Sequence, residues 1–310
     1  MIGSYDMSLL LDEHRSEVEA RVAAASSLVF YLDFDGTLAP IVVEPELARM
    51  APETRTVLEE LSNQEGILVC VVSGRSLADI KSRVGLSGLV YSGNHGLEIE
   101  SQSLRFVHPE ASYGRAAIED LNRRVAGLPL LIPGVQLEPK GLGTTIHFRR
   151  ADPTARDQIK TIVRSLVPVE HPDLMVTEGL MNYEIRPRLD WNKGSAVRWI
   201  HERIKDRAAL VFVIGDDRTD EDAFPSLADA ITIRVGPGDS TSARYYLPDQ
   251  SELGTLLGWL LELWKNRLGS ADPASQPHIS RPALALKESS PILNVRLRRA
   301  AVDRRRQALR

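Results

Sequence analysis

Short apolar runs without polar alternation recur along the chain, at residues 28–32, 67–72, 89–92, 209–214 and 230–235. Patterns typical of helices separate several of these runs, at 52–64, 76–84, 193–204 and 219–227. Strands without alternation are buried on both faces, and intervening helices indicate parallel pairing. The pattern therefore predicts an α/β fold with a doubly wound, Rossmann-like parallel sheet, in which functional groups gather at the carboxyl ends of the strands.

In the middle of the chain, a different order of predicted elements interrupts this alternation. The predicted order is helix, strand, strand, given twice, at 112–126, 134–138, 144–149, 153–166, 174–177 and 181–186. Such an order indicates a small α+β unit with one open sheet. We predict a discontinuous core of residues 1–110 and 188–266, with an inserted α+β domain at 111–187.

The C-terminal segment, 267–310, is predicted to be a basic, disordered tail. From residue 271 onwards, nine Lys or Arg stand against three Asp or Glu, a local net charge of +6. We interpret it as a solvated tail, and the alternative is an arm that binds a polyanion. The whole chain carries a net charge of −4, so no basic field would attract nucleic acid.

The composition predicts a protein of the reducing cytoplasm. No apolar run approaches the ~20 residues that span a membrane, so no membrane partner is expected. The charged residues Asp12 and Glu13 interrupt the N-terminus early, which argues against a secretory signal. The single cysteine, Cys70, lies inside an apolar run and is interpreted as a core residue rather than a catalytic thiol.

Acidic residues follow two of the apolar runs. The first run leads into Asp-Phe-Asp-Gly-Thr-Leu at 33–38, which puts the carboxylates of Asp33 and Asp35 on one face of a strand end. Like charges this close are costly unless a cation lies between them, although an ordinary turn is the alternative interpretation. Five acids between 216 and 222 follow a later run. Carboxylates without a Cys or His cluster favour Mg²⁺ over zinc.

Two further strand ends are suited to a phosphate. Ser73 and Gly74 form a predicted turn into a helix, where backbone amides bind anions; the alternative is that Ser73 is only the helix N-cap. Lys193 stands at a predicted helix start, where the helix dipole disfavours a cation unless an anion is held there. The alternative for Lys193 is a solvated surface lysine. Together, these groups predict phosphoryl transfer to an enzyme carboxylate beside a metal ion.

The order Asp-x-Asp-Gly-Thr, Ser, Lys and Gly-Asp-x-x-x-Asp resembles the haloacid dehalogenase superfamily of phosphohydrolases. The segment Gly-Asp-Asp-Arg-Thr-Asp-Glu-Asp-Ala-Phe at 215–224 is similar to that motif in the trehalose-6-phosphate phosphatase family. Further similar segments lie at 93–98, 138–140, 145–149, 184–187 and 190–194, so the resemblance covers about residues 28–265. It implies a haloacid dehalogenase core with an inserted cap domain.

The resemblance also implies roles for the strand-end residues. Asp33 would be the nucleophile, and Asp35 the general acid for the leaving oxygen and then the base for water. The Mg²⁺ ligands would be Asp33, the backbone carbonyl of Asp35, and Asp216. Behind these ligands, Asp220 would order a metal-bound water or Lys193, and Asp217 would also lie behind the metal ligands. Ser73, Gly74 and Lys193 would hold the phosphate.

The resemblance places the choice of substrate mainly in the insert, which is similar to a mobile cap that excludes water. The implied sugar-binding residues are Asn94 and His95 of the core and Glu138, Lys140, His147, Arg149 and Glu184 of the insert. Each of the insert charges has the alternative of being a surface strand residue. His147 alternates with Arg149 and is either a substrate contact or a packed strand residue.

The implied function is a Mg²⁺-dependent phosphatase that hydrolyses trehalose 6-phosphate to trehalose and phosphate, the last step of trehalose biosynthesis. A trehalose-6-phosphate synthase is a possible partner. One alternative is a related phosphatase acting on sucrose phosphate or a glycosyl-glycerate phosphate. A second alternative is a non-catalytic, phosphatase-like regulatory module.

Overall fold

The computed structural model describes residues 8–179, 181–204, 206, 208–236 and 240–270. These residues divide into two compact units. The first comprises residues 8–105 together with the described residues from 191 to 270, and the second comprises the described residues of 106–190. The predicted insert, 111–187, falls within the second unit; its role as a cap stays a prediction.

The strands of the described residues are β1 (Leu9–Leu10), β2 (Leu28–Leu32), β3 (Ile67–Val72), β4 (Val90–Gly93), β5 (Glu98–Glu100), β6 (Arg105–Val107), β7 (Gln136–Pro139), β8 (Thr144–His147), β9 (Leu174–Gly179), β10 (Asn182–Pro187), β11 (Leu210–Gly215), β12 (Ile231–Val235) and β13 (Tyr245–Leu247). The helices are α1 (Arg15–Ala24), α2 (Pro52–Asn63), α3 (Leu77–Val84), α4 (Pro109–Val125), α5 (Leu128–Leu131), α6 (Arg156–Glu170), α7 (Lys193–His201) and α8 (Leu253–Ser270). Short 3₁₀ turns lie at Leu11–His14, Pro45–Leu47, Asn94–Gly96, Pro153–Ala155, Asp220–Asp222, Phe224–Ser226 and Gln250–Glu252.

The larger sheet has the strand order β1-β13-β12-β11-β2-β3-β4-β5-β6. Its strands pair in parallel from β1 to β4 in this order, and β5 pairs antiparallel to β4. Every residue of β2 and β11 is buried, so both faces of the central strands are covered, as their unbroken apolar runs indicate. The predicted α/β fold is confirmed.

The core of the first unit lies between this sheet and helices that include α2 and α8. Phe30 of β2 stacks on Phe212 of β11, with ring centroids 4.9 Å apart. Leu58 of α2 and Trp264 of α8 belong to the same buried cluster, and the Trp264 indole donates to the Glu65 carbonyl at 2.9 Å. Cys70 is a free, buried residue of β3, which confirms that its thiol is part of the core. This packing fixes the strands whose ends form the site.

The second unit is built on a four-stranded antiparallel sheet with the order β7-β8-β10-β9. One face of the sheet, with Ile146 and Ile185, packs in a hydrophobic cluster with Ile118 of α4 and Ile159 of α6. Because side chains alternate along a strand, the residues next to these two point to the opposite face. The second unit therefore presents one apolar and one polar face of its sheet.

Three local predictions are wrong. The predicted helix at 219–227 is two 3₁₀ turns, since Pro225 cannot donate to a continuing helix. The strand predicted at 144–149 ends at His147, and Arg149 lies in the turn that follows. The predicted tail begins too early, because α8 continues to Ser270, with the guanidinium of Arg267 4.8 Å from the centre of the Trp264 ring. The rest of the predicted tail, 271–310, lies outside the described residues.

No helix among the described residues is both long and apolar enough to cross a lipid bilayer.

Candidate active site

An acidic cluster forms where β2 and β11 end side by side. The two strands pair in parallel with Leu32 opposite Ile214, and the Asp33 amide extends the pairing by donating to the Ile214 carbonyl at 3.0 Å. Asp33 and Asp216 therefore follow adjacent strands at the same edge of the sheet. Carboxylate oxygens of Asp33, Asp216 and Asp220 lie within 4.8 Å of one another. This arrangement brings Asp33 of the first predicted acid pair together with two acids of the second predicted cluster.

Two glycines allow this close approach. Gly36 has a φ of +87°, and a Cβ built there would lie 2.0 Å from Asp216 Oδ2. A Cβ at Gly215 would lie 2.2 Å from Asp220 Cγ. The carboxylates thus occupy the space that side chains at these positions would need, and any larger residue would displace them.

Hydrogen bonds within the loop after β11 hold Asp217 and Asp220. Asp220 Oδ2 accepts from the amides of Asp216 and Asp217, both at 3.1 Å. Asp217 Oδ1 accepts from the amide and hydroxyl of Thr219, both at 2.7 Å. Desolvation opposes the charge on Asp217, but Lys193 and the Thr219 donors outweigh it and lower its pKa to about 2. Capping of this kind accounts for Asp217 and one oxygen of Asp220, but not for Asp33 or Asp216.

Lys193 is a buried cation in the cluster rather than the surface lysine of the alternative interpretation. It begins α7, whose N-cap Asn192 accepts from the Ser195 amide at 2.9 Å. Lys193 Nζ lies 2.9 Å from Asp33 Oδ1 and 2.9 Å from Asp220 Oδ1, and its side chain is 3% exposed. Burial opposes its charge, but Asp220 and Asp33 outweigh this effect and raise its pKa. The helix start is unfavourable for a cation, so these carboxylates are what hold it there.

One lysine does not balance the charge of this cluster. Burial, with the neighbouring charge of Asp216, raises the pKa of Asp33 to about 8 despite its contact with Lys193. Burial and the charges of Asp220 and Asp217 likewise raise the pKa of Asp216 to about 7. A divalent cation would relieve this excess and keep the carboxylates ionised. The donor set of carboxylate oxygens fits a hard cation that prefers oxygen ligands.

The donors divide the three acids into different roles. Both oxygens of Asp220 accept hydrogen bonds from the protein, one from Lys193 and the other from two amides. Asp216 Oδ1 accepts from the Thr37 hydroxyl at 2.9 Å. Asp33 and Asp216 are therefore the better candidates for direct contact with a metal ion, and Asp220 for holding the lysine.

Ser73 and Gly74 follow β3, the strand next to β2 in the sheet. Ser73 is buried, and its hydroxyl accepts from the Arg75 amide at 3.1 Å. The alternative that Ser73 caps the next helix is wrong, because Ser76 is the N-cap of α3 and accepts from the Asp79 amide. The end of β3 thus keeps a serine that the helix does not use.

The turn after β4 carries Asn94 and His95. Both have left-handed backbones, with φ of 50° and 54°, a conformation that is uncommon outside glycine but that Asn and His adopt more readily than most residues. Both are buried, and Asn94 Nδ2 donates to Glu98 Oε2 at 2.7 Å. A Cβ at Gly74 would lie 2.7 Å from the His95 ring, so this ring packs directly on the Ser73-Gly74 turn. The two predicted residues therefore border the site of the first unit.

Asp35 does not share the contacts of Asp33. Its two carboxylate oxygens accept from Arg75, Oδ2 from Nε at 2.7 Å and Oδ1 from Nη2 at 2.6 Å. The side chain of Asp35 is 41% exposed, whereas that of Arg75 is only 5% exposed. Sequence reasoning missed Arg75, although it directly follows the Ser-Gly turn. Two acids that are two positions apart thus have different environments.

The polar face of the second unit collects most of the predicted sugar-binding residues. Glu138 and Glu184 both lie opposite Thr145, on the two strands that flank it. Lys140 Nζ lies 3.6 Å from Glu184 Oε1 and 3.9 Å from Glu138 Oε2. His147 Nε2 lies 2.8 Å from Glu138 Oε2, so His147 belongs to this face and not to the apolar one. Arg149 lies beyond the end of β8.

Sequence reasoning also missed Thr145. Its side chain is 3% exposed, and its hydroxyl has no hydrogen-bond partner among the described residues. A buried hydroxyl without a partner is costly, so a ligand or water that reaches this face would be stabilised by it. The segment 145–149, which resembles the trehalose-6-phosphate phosphatase family, was the sequence signal that could have identified it.

Comparisons with known proteins agree in pointing to one family. A family model described as trehalose-phosphatase matches residues 31–251. The chain is 31% identical over 277 residues to probable trehalose-phosphate phosphatase 4 of Oryza sativa subsp. japonica, covering 85% of this chain and 73% of the relative. It is 36% identical over 242 residues to trehalose-phosphate phosphatase of Mycobacterium marinum, covering 74% of this chain and 60% of that relative. A solved structure of the C-terminal domain of C. albicans trehalose-6-phosphate phosphatase is similar with a TM-score of 0.71 at 26% identity, over 84% of this chain and 99% of that one.

Proposed function

This chain belongs to the trehalose-phosphatase family of phosphatases, and we propose that it hydrolyses trehalose 6-phosphate to trehalose and phosphate through Asp33. The observation that carries the proposal is the contact of Asp33 with Lys193 inside a cluster of buried carboxylates. A nucleophilic carboxylate must meet an anionic phosphate, and it does so only where positive charge is concentrated.

In the proposed reaction, an Asp33 carboxylate oxygen attacks phosphorus and the bond from phosphorus to the sugar oxygen breaks. Asp35 gives its proton to the departing sugar oxygen, which leaves as the trehalose hydroxyl. Water then attacks the aspartyl-phosphate while Asp35 takes one of its protons, which restores Asp33 and releases phosphate. Ser73, the amide of Gly74 and Lys193 hold the phosphate oxygens.

We propose Mg²⁺ as the cation. Asp33 and Asp216 would hold it, together with the backbone carbonyl of Asp35, while Asp217 and Asp220 support the loop and Lys193. Bound there, Mg²⁺ would neutralise charge on the phosphoryl group. The support for this assignment is the oxygen-only donor set and the excess negative charge of the cluster.

We propose that the sugar is bound by the polar face of the second unit, through Glu138, Lys140, His147, Glu184 and the newly identified Thr145. Paired acceptors and donors of this kind suit sugar hydroxyls, each of which can both donate and accept. Arg149, in the turn after β8, and Asn94 and His95 of the first unit stay predictions for the same role.

A panel of phosphorylated disaccharides in the presence of Mg²⁺ tests the proposal. We expect phosphate release from trehalose 6-phosphate to exceed that from sucrose 6-phosphate and glucosyl-glycerate phosphate. Equal turnover of all three would favour the broader sugar-phosphate phosphatase. Absence of any turnover by the purified, folded chain would favour a regulatory module.

We propose a cellular location and a partner on the same basis. A cytoplasmic location suits a chain whose one cysteine is a buried, free thiol. A trehalose-6-phosphate synthase, which would supply the substrate, stays a predicted partner.

A further inference from the structure

The planar guanidinium of Arg75 binds the Asp35 carboxylate as a two-pronged fork, with one hydrogen bond to each oxygen. Its Nε and Nη2 each donate to a different carboxylate oxygen, at 2.7 and 2.6 Å. A bidentate pair of this kind fixes both the position and the plane of a carboxylate, which a single point charge does not. The side chain of Asp35 is otherwise 41% exposed, so the fork restricts rotamers that solvent would leave open.

Arg75 is itself held from three sides. Nη1 donates to Asp79 Oδ2 of α3 at 2.9 Å, and Nη2 also donates to the Pro45 carbonyl at 2.8 Å. The guanidinium lies 5.5 Å from the centre of the Phe34 ring. A buried arginine with this many partners is a rigid support, and Asp35 is the more exposed of the two carboxylates that it contacts.

A structural role for Arg75 would not need Asp35. Arg83, one helical turn from Asp79, shows what a structural role alone would require. Its Nε donates to the same Asp79 Oδ2 at 2.7 Å, and its Nη1 donates to the carbonyls of Glu46 and Ala48 at 3.1 and 3.2 Å. Arg83 thus ties α3 to the 45–48 segment as Arg75 does. The contacts that distinguish Arg75 are those with Asp35.

We infer that Arg75 is a positioning residue that aims the Asp35 carboxyl group, protonated on an oxygen lone pair that the fork leaves open, for transfer of that proton to the leaving oxygen. The inference rests on the proposed function, in which Asp35 is the acid for that oxygen. Arg75 touches neither the phosphate nor the leaving group in this role and acts through Asp35. Its effect should therefore depend on how much the leaving group needs a proton.

Leaving-group dependence gives the test. The full chain is assayed with Mg²⁺ on trehalose 6-phosphate, phenyl phosphate and p-nitrophenyl phosphate. The two aryl esters have similar shapes and lack the sugar, but nitrophenolate departs without a proton and phenolate benefits from one. The value of kcat/KM covers the steps up to departure of the leaving group. Any change between the aryl esters therefore cannot come from sugar binding.

For Arg75→Gln, we expect kcat/KM to fall about 10- to 100-fold on trehalose 6-phosphate and phenyl phosphate, because a well-positioned general acid contributes about 10²–10⁴-fold. On p-nitrophenyl phosphate, whose leaving group needs no proton, the fall should be less than about 3-fold. Arg75→Lys keeps the charge but not the fork and should fall in the same direction. The matched control, Arg83→Gln, should stay within about 2-fold of the wild-type chain on all three substrates, because Arg83 contacts Asp79 and the 45–48 segment. In the Asp35→Asn background, adding Arg75→Gln should cost nothing more on trehalose 6-phosphate.

Three results would overturn the inference: an equal fall on all three substrates, the same selectivity in Arg83→Gln, or a full additional loss in the Asp35→Asn background. If Arg75→Gln does not fold by circular dichroism, Arg75→Lys and its double variant with Asp35→Asn decide the matter. If the wild-type chain hydrolyses the aryl esters but not trehalose 6-phosphate, the proposed substrate is wrong, and the two aryl esters still test the role of Arg75. A wild-type chain that hydrolyses none of the three would end both proposals.

Discussion

The acidic cluster of the first unit and the polar face of the second differ in how their charges are held. Asp33 and Asp220 are nearly buried against a lysine that is 3% exposed, and their oxygens meet donors at 2.9–3.1 Å. On the second unit, the side chains of Glu138, Lys140, His147 and Glu184 are 11–28% exposed, and Lys140 lies 3.6 Å or more from its acids.

The difference indicates a division of work. A preorganised, buried cluster with excess charge suits bond-breaking steps, whose demands are the same for any phosphate ester. A more exposed face suits recognition, because its groups can exchange partners for those of a ligand. We therefore expect changes in the cluster to affect all substrates alike, and changes on the polar face to affect only substrates that carry the sugar.

The largest effect should follow Asp33→Asn. An amide cannot form the acyl-phosphate, so kcat should fall by at least about 10³-fold on both trehalose 6-phosphate and p-nitrophenyl phosphate. The substitution also removes a buried carboxylate whose pKa burial raises to about 8, so folding should survive. Steady-state kinetics and a thermal melt measure the two properties. Appreciable turnover on either ester would contradict the nucleophile role.

Removal of divalent metal should come next. EDTA should abolish turnover and Mg²⁺ should restore it, since the cluster has an unbalanced negative charge. An assay-independent readout is stability: Mg²⁺ at 100 times its Kd should stabilise the folded chain by about 2.7 kcal/mol and raise Tm by several degrees.

A pair of variants locates that metal effect. Asp216→Asn should lose the Tm shift with Mg²⁺, whereas Glu184→Gln on the polar face should keep it. The comparison between the two regions would fail if Glu184→Gln lost the shift as well, or if Asp216→Asn retained all of it.

A smaller and selective effect should follow Glu184→Gln in kinetics. Loss of its charge removes one of the charged neighbours of Lys140 and weakens an acceptor for a sugar hydroxyl. We therefore expect kcat/KM for trehalose 6-phosphate to fall about 10-fold, the cost of roughly one hydrogen bond to a charged group. Turnover of p-nitrophenyl phosphate should stay unchanged. Glu178→Gln, an exposed acid of β9 in the same sheet, is the matched control and should change neither substrate. An equal loss on both esters would place Glu184 in the fold rather than in recognition.

Sequence reasoning succeeded where one local pattern dictates the outcome. The unbroken apolar run before Asp33 and the run before Asp216 each dictate a buried strand, and parallel pairing of those strands then brings their acids together. From the sequence, Lys193 could be expected near an anion, but not specifically in contact with Asp33, because the two residues are 160 positions apart.

What escaped prediction depends on tertiary contacts with no local signature. Arg75 reaches Asp35 across 40 positions only because α3 and the 45–48 segment hold its guanidinium. β13 and β5 are three-residue strands whose pairing with longer neighbours, not their own sequence, makes them strands. Pro225 was visible in the sequence and should have ended the helix predicted there.

The smallest effect should follow removal of residues 271–310. The acidic cluster and the polar face both lie within residues 31–251, the part of the chain that matches the trehalose-phosphatase family. Helix α8 completes the core of the first unit with Trp264. A chain ending at residue 270 should therefore keep kcat/KM for trehalose 6-phosphate and for p-nitrophenyl phosphate within about 2-fold, because the family match and the described core of the first unit both end before residue 271. The measurement is made on both esters because the pattern of any loss is informative. A loss on trehalose 6-phosphate alone would assign the segment to recognition, and a loss on both would show that the catalytic cluster depends on it.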